Sequence, residues 1–404
     1  MSVAGMRLSA LAAAYGTPAF ILDEADVRHQ CRDYQAALPG IEVAYAGEAF
    51  LCRAMAQWIA ADGLSLAVSS AGELAVAQAV SFPAERIILR GHAKTPADLR
   101  AALRYGVDRI VVDSTAEIFR LAALTPRLQR VLIQVTAGPN ADGDQETFGF
   151  PLRSGSAADA VRRVLSHPEL TLAGLRCHLA AEPAELSAYE TVARELLGLM
   201  AAVRDHTGVT PTELNLGGGH AVPYAAGDDD AGLASFADRV RRLIASECAR
   251  LRLPVPHLVI EPGRAIVNRA MITLYHVLAV RRGATGRTFV AVDGGMSGYP
   301  GPELYALGHS VHAVRPSTAP PEPVTVVGRY GEAGDVLAGD VTLPADIRPG
   351  DLVAVSGTGA FSHSMTSDYN LAGRPPVIAV SGGGSRTLIR KETTSDLLIR
   401  DVGL

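Results

Sequence analysis

His257-Leu258-Val259-Ile260-Glu261-Pro262-Gly263-Arg264 is a short β-rich run that stops on a carboxylate, a proline, a glycine and an arginine. It is too short for a helix, and the Pro-Gly pair closes it, so it reads as a buried strand followed by a turn. The same pattern recurs upstream at Ile41–Tyr45, Leu64–Val68, Ile87–Leu89, Arg109–Val112, Val131–Val135, Leu170–Leu175 and Thr212–Leu216. Alanine-rich stretches with helical spacing lie between these runs, among them Ala71–Ala79, Pro96–Tyr105 and Ala116–Leu124. Eight apolar strands alternating with helices predict a (β/α)8 barrel over residues 36–270. An open doubly wound sheet would not require eight repeats.

Beyond about residue 270 the helices drop out. Met271–Val280, Thr288–Val292, Val324–Val327, Val336–Leu343, Leu352–Val355 and Val377–Val380 read as strands separated by Gly- and Pro-rich turns. This predicts a separate β-domain made of residues 1–35 and 271–404, with a Pro-rich loop at Ala313–Pro323.

The chain has 404 residues, 48% hydrophobic and 20% charged, with a formal net charge of −5. That is enough to bury a large core in two domains, and nothing in it favours nucleic acid or an anionic membrane. No apolar run reaches spanning length and the N-terminus lacks a leader pattern, so a cytoplasmic protein is expected. Cys31, Cys52, Cys177 and Cys248 are widely spaced and read as reduced apolar residues. Lys94 and Lys391 are the only lysines among 37 basic residues.

The active site of such a barrel lies at the C-terminal ends of its strands. Those ends carry Gly47-Glu48, Ser69-Ser70, His92, Asp113, Gln134, His178, Gly217-Gly218-Gly219-His220 and Glu261-Pro262-Gly263-Arg264. Loops after the last two strands often bind phosphate, and consecutive glycines let backbone N–H groups approach an anion. The three glycines alone would read as a tight turn; paired with Gly263 and Arg264 they read as a phosphate site. No spacing supports a metal centre, although Glu48, His178 and His220 would be its candidate ligands.

These motifs carry a resemblance. Tyr15-Gly16-Thr17-Pro18, Ser69-Ser70-Ala71-Gly72-Glu73-Leu74, Cys177-His178, Leu216-Gly217-Gly218-Gly219, Glu261-Pro262-Gly263-Arg264, Val292-Asp293-Gly294-Gly295-Met296, Glu332-Ala333-Gly334-Asp335, Ser364-Met365 and Tyr369-Asn370 stand in family order and spacing. Along nearly its whole length the chain resembles the fold-type III pyridoxal-phosphate (PLP) decarboxylases, the diaminopimelate decarboxylases in particular. The resemblance implies an alanine-racemase-like (β/α)8 barrel plus a β-domain. It implies that His178 stacks on the pyridine ring, Glu261 pairs with the ring nitrogen, and Gly217, Gly218, Gly219, Gly263 and Arg264 hold the phosphate. It also implies a homodimer with shared active sites, in which Glu332 and Tyr369 come from the second subunit.

The chain departs from that family at the covalent anchor. The family reads roughly YAVKAN where this chain reads Tyr45-Ala46-Gly47-Glu48-Ala49-Phe50, so a carboxylate replaces the Schiff-base lysine. The family's RVNP arginine is Gln134, its CESGD cysteine is Gly331, and its AGAY tyrosine is Phe361. The substrate-carboxylate arginine is missing from Gly301-Pro302-Glu303-Leu304-Tyr305. Two functions are compatible with this pattern. One is a decarboxylase or other lyase for a small amino-acid-derived substrate in specialised biosynthesis, with Glu48, His178 and Glu332 as catalytic groups and PLP either non-covalent or absent. In it a partly buried Glu48 is expected to have a raised pKa and act as acid or base, with His178 or His220 beside it. The other is an inactive homologue that binds a phosphorylated ligand or a protein partner.

Overall fold

The computed structural model describes residues 1–136, 148–178, 186–219, 231–284, 286–298 and 310–403. The chain divides into two compact units, residues 31–263 and residues 1–30 with 264–404.

Residues 31–263 form a closed parallel barrel. Its eight strands are Ile41–Ala46, Ser65–Val68, Ile87–Leu89, Arg109–Val112, Gln129–Thr136, Leu170–Arg176, Glu213–Asn215 and His257–Ile260. Each pairs in parallel with the next, and the eighth closes on the first through Leu258↔Ile41, Val259↔Glu42 and Ile260↔Val43. All eight strands expected from the sequence are present. A band of alanine and branched aliphatic side chains fills the interior: Ala44, Ala67, Ile88, Val111, Leu132, Ala173 and Val259, all buried. Alternation puts every second side chain of a strand inside, and short residues suit the narrow axis.

The helices between strands carry explicit start signals. Ser70 Oγ accepts from Glu73 N at 3.2 Å, capping the helix Ala71–Gln78. Thr95 and Asp98 form a reciprocal capping box ahead of Pro96–Tyr105. The family-like Ser69-Ser70-Ala71-Gly72-Glu73 motif therefore has a local folding role as well.

The N-terminal end of the barrel is closed by charge. Arg109 Nη1 donates to Glu42 at 2.8 Å and to Glu213 at 3.1 Å, and its Nη2 donates to Glu42 at 2.7 Å. Burial opposes ionisation of Glu42, but hydrogen bonds from His257 and Arg109 hold its carboxyl well below the usual range. At this end of a barrel such groups serve stability.

The other unit is built on the long strand Met271–Arg282. Its first half pairs with Ala19–Asp23 and Leu352–Ser356, and its second half with Thr288–Val292. Strands Ala19–Asp23 and Gly384–Ile389 were not anticipated; the first follows a helix and lies far in sequence from its partners. The expected Pro-rich loop is shorter than 313–323, because Val311–Ala313 and Pro321–Val327 are strands that pair with Leu352–Ser356 and Thr288–Val292. Pro321 and Pro323 sit at the start of their strand, where the missing N–H groups are tolerated.

Candidate active site

The first strand ends in a sharp turn that presents Glu48. Ala49 N donates to Ala46 O at 3.2 Å, and the buried Tyr45 hydroxyl donates to Phe50 O at 2.8 Å. A Cβ on Gly263 would lie 3.0 Å from Ala46 Cβ and 3.1 Å from Ala49 Cβ, so this glycine lets the eighth strand's loop pack against the turn. Ala46 N also donates to Pro262 O at 2.9 Å.

Among the described residues the side chain paired with Glu48 is Arg90, and His178 lies near enough to act on its charge. Glu48 Oε1 lies 3.0 Å from Nη2 of Arg90, a side chain only 9% exposed against 40% for Glu48. Burial alone would raise the Glu48 pKa, but the charge and hydrogen bond of Arg90 outweigh it and hold the carboxyl below its ordinary value. The expected raised pKa is thus corrected: Glu48 is ionised at neutral pH, because the Arg90 guanidinium faces it. His220 lies outside the described residues.

Arg90 also reaches Glu261, with Nε 3.4 Å from Oε2. Glu261 is 2% exposed and its carboxylate accepts three hydrogen bonds. Its Oε1 accepts from Arg176 Nε at 2.9 Å and Asn215 Nδ2 at 2.8 Å, and its Oε2 accepts from Arg176 Nη2 at 2.5 Å. Arg176 Nη1 donates to Gln134 at 2.5 Å. Burial pushes Glu261 up, yet Arg176 and then Arg90 bring it down to about 2. Two guanidiniums and two carboxylates thus form one neutral array at the barrel mouth.

His178 sits at the open end of the sixth strand, touching solvent but crowded by the barrel wall. Its Nδ1 accepts from Gly218 N at 3.1 Å, which leaves the ring proton of the neutral form on Nε2. Desolvation, then Arg176 and Arg90, lower its pKa to about 4, so it is neutral at physiological pH.

The glycines are explained by close backbone approach. A Cβ on Gly217 (φ +68°) would lie 2.7 Å from Cys177 O, and one on Gly218 would lie 2.3 Å from Glu261 O. Gly219 has φ +83°. Arg264 belongs to the other unit, where its guanidinium carbon lies 6.0 Å from the Phe361 ring centroid. In that unit the Tyr369 hydroxyl donates to Glu332, and both residues are exposed. Asp335 accepts from Met296 N at 2.7 Å and Tyr330 N at 2.8 Å, tying together two loops of family-like sequence. Among the described residues no cluster of His, Cys, Asp and Glu could hold a metal ion, and no helix is long and apolar enough to cross a membrane.

Arg90, Arg176 and Asn215 were missed in the sequence. The available signal was a charged or amide side chain at the C-terminal end of an otherwise apolar barrel strand, a position that faces the site.

The match that decides the lineage covers this barrel: residues 24–268 fit the model for "Pyridoxal-dependent decarboxylase, pyridoxal binding domain". The chain belongs to the pyridoxal-dependent decarboxylase family. It is 51% identical to a diaminopimelate decarboxylase of Actinosynnema pretiosum subsp. auranticum, over 98% of this chain and 92% of that one. It is 42% identical to the protein of that name from Mycobacterium tuberculosis, over 99% and 94% of the two chains. The diaminopimelate decarboxylase of M. jannaschii in complex with L-lysine superposes with a TM-score of 0.93, at 24% identity, over 100% of this chain and 96% of that one. The fold is therefore the alanine-racemase-like barrel with a separate sheet domain.

The family's cofactor is pyridoxal phosphate, which needs an amine for its aldehyde and a carboxylate free to face its ring nitrogen. The amine is not on offer in this barrel, and the carboxylate is already committed to two guanidiniums. Lys94 has a fully buried side chain, with Nζ 3.0 Å from Glu117 and donating to Gly91 O at 2.7 Å. Lys391 lies in the other unit, on the wall of a cavity of about 410 Å³ with Asp293 and Tyr330. Position 48 is a carboxylate, and Glu261 already accepts three hydrogen bonds from Arg176 and Asn215 with Arg90 Nε 3.4 Å from its Oε2. The residues present do not fit the cofactor as the family holds it.

Proposed function

We propose that this chain is a decarboxylase-type lyase for a small amino-acid-derived substrate, working through Glu48 without a lysine–PLP internal aldimine. The ion pair between Glu48 and Arg90 at the end of the first barrel strand carries the reading. It keeps Glu48 ionised, half-exposed and fixed, which suits a base or a partner for a substrate ammonium. His178, neutral and with its proton on Nε2, supplies the matching donor. An ionised carboxylate and a neutral imidazole at one mouth divide the work: Glu48 accepts a proton or steadies positive charge, and His178 donates a hydrogen bond from Nε2 to polarise the substrate.

Membership of the family and the 51% identity to a named decarboxylase support loss of carbon dioxide as the reaction class. Gln134 and Gly331, where the resemblance implies an arginine and a cysteine, support a substrate other than diaminopimelate. The exposed Glu332–Tyr369 pair supports a homodimer in which these residues complete a neighbouring subunit's site. The phosphate role of Gly219, Gly263 and Arg264 rests on the resemblance alone.

The test is a panel of amino acids, diamino acids and their N-acyl or N-hydroxy derivatives, assayed for carbon dioxide release with and without added PLP. Turnover of a derivative, lost in Glu48→Gln, is expected. Borohydride-trapped PLP on Lys94 or Lys391 of the wild-type protein would overturn the proposal, as would full turnover of meso-diaminopimelate.

A further inference from the structure

We propose that Arg90 occupies the ground a pyridoxal ring would need, so that this barrel excludes the family's cofactor by an internal ion-pair array and not only by lacking the lysine. The inference rests on the reading of Glu48 given above and goes one residue further. By resemblance, a bound ring would meet position 48 at its aldehyde carbon, Glu261 at its nitrogen and His178 on its face. Arg90 touches the first two at once, at 3.0 Å and 3.4 Å. A flat guanidinium joining both carboxylates lies across the gap that the flat ring would span.

Charge explains why the arrangement is self-sufficient. Arg90 and Arg176 are both buried, and Glu48 and Glu261 balance them. Glu73 also lowers the cost of Arg90's burial, with its Oε2 accepting from Ser69 N at 2.6 Å. A ring that displaced Arg90 would strand a buried guanidinium and leave Glu48 facing the cofactor's anionic phenolate. Restoring lysine at position 48 alone would put a third cation beside Arg90 and Arg176 and remove the carboxylate that pairs with Arg90, and so would not rebuild a cofactor site. Two changes are needed: the amine must return and Arg90 must go.

Four proteins test this: wild type, E48K, R90A and E48K/R90A, each checked for folding by circular dichroism and thermal melting. R90Q and E48K/R90Q replace the alanine variants if those do not fold, because glutamine retains a donor for one carboxylate. Each is dialysed to equilibrium against PLP, then reduced with borohydride and peptide-mapped. The expected results are no retained PLP in wild type or E48K, non-covalent binding at least tenfold tighter in R90A than in wild type, and a reducible adduct at position 48 only in the double variant. Wild-type protein that binds PLP non-covalently as tightly as R90A or R90Q overturns the inference while leaving the proposed function standing. E48K carrying as much adduct as the double variant overturns it too. A lysine adduct in the wild type instead removes the proposed function beneath it.

Discussion

Arg176 grips Glu261 through two parallel hydrogen bonds, from Nε at 2.9 Å and from Nη2 at 2.5 Å, with side chains 3% and 1% exposed. Such a fork-to-fork contact fixes both planes, and Asn215 adds a third bond to the carboxylate. Through these bonds Glu261 holds the sixth, seventh and eighth barrel strands together.

Glu261→Gln should therefore be mainly a stability mutation. It leaves Arg176 buried facing a neutral amide, with its charge partner gone, and turns one acceptor into a donor facing a donor. Breaking a buried pair by removing one member costs roughly 3–5 kcal/mol. Urea unfolding at neutral pH is the measurement, and a loss below about 1 kcal/mol would show that the pair is dispensable.

Acid should unfold the protein in two stages. His178 has a folded pKa lowered to about 4, against about 6.5 in an unfolded chain. As pH falls through that window the unfolded chain binds the proton first, so stability drops. Glu261 has a folded pKa lowered to about 2, against about 4.3 unfolded. Its contribution is present above the unfolded value and is lost as pH falls towards the folded one. Unfolding free energy followed from pH 7 downward should lose its upper slope in His178→Asn and its lower slope in Glu261→Gln. Unchanged slopes in both would refute the assignment.

Glu48→Gln should keep the fold, because Glu48 is 40% exposed and a neutral amide can still accept from Arg90. Screening at a half-exposed site limits the loss to about 1 kcal/mol. Turnover on the substrate found by the panel should fall by at least about 10²-fold, since glutamine cannot take a proton. A double-mutant cycle with Arg90→Gln should give a coupling of about 0.5–2 kcal/mol. Additive changes would mean that the two side chains act independently.

Gly174→Ala should fail to close the barrel. A Cβ there would lie 1.9 Å from Glu213 O and 2.6 Å from Glu213 C, both backbone atoms of the neighbouring strand. The sixth and seventh strands would have to separate where they pair at Gly174↔Glu213. Insoluble protein, or a melting temperature lowered by more than about 10 °C, is the expected outcome.

Light scattering at micromolar concentration should report a dimer. Tyr369→Phe, which removes the hydroxyl bonded to Glu332, should leave that dimer intact and slow turnover. A monomer with full activity would contradict the shared-site proposal.

The barrel was legible in the sequence because it is written locally. Each strand is a short apolar run, each helix begins at a capping residue such as Ser70 or Thr95, and eight repeats leave one economical closure. The strands of the other unit were less so: Ala19–Asp23 pairs with Met271–Arg282, with the whole barrel between them in sequence, and nothing local marks that pairing. The rim residues Glu48, His178 and Glu261 were also legible, since strand ends face the site. Their partners were not. Arg90 ends the loop side of the third strand, Arg176 the sixth, Asn215 the seventh and Glu261 the eighth, so their meeting depends on barrel closure rather than on any spacing along the chain. That is why the sequence alone determined that position 48 holds no amine, whereas only the tertiary structure decided that the guanidinium of Arg90, from the third strand's end, pairs with the carboxylate that stands there.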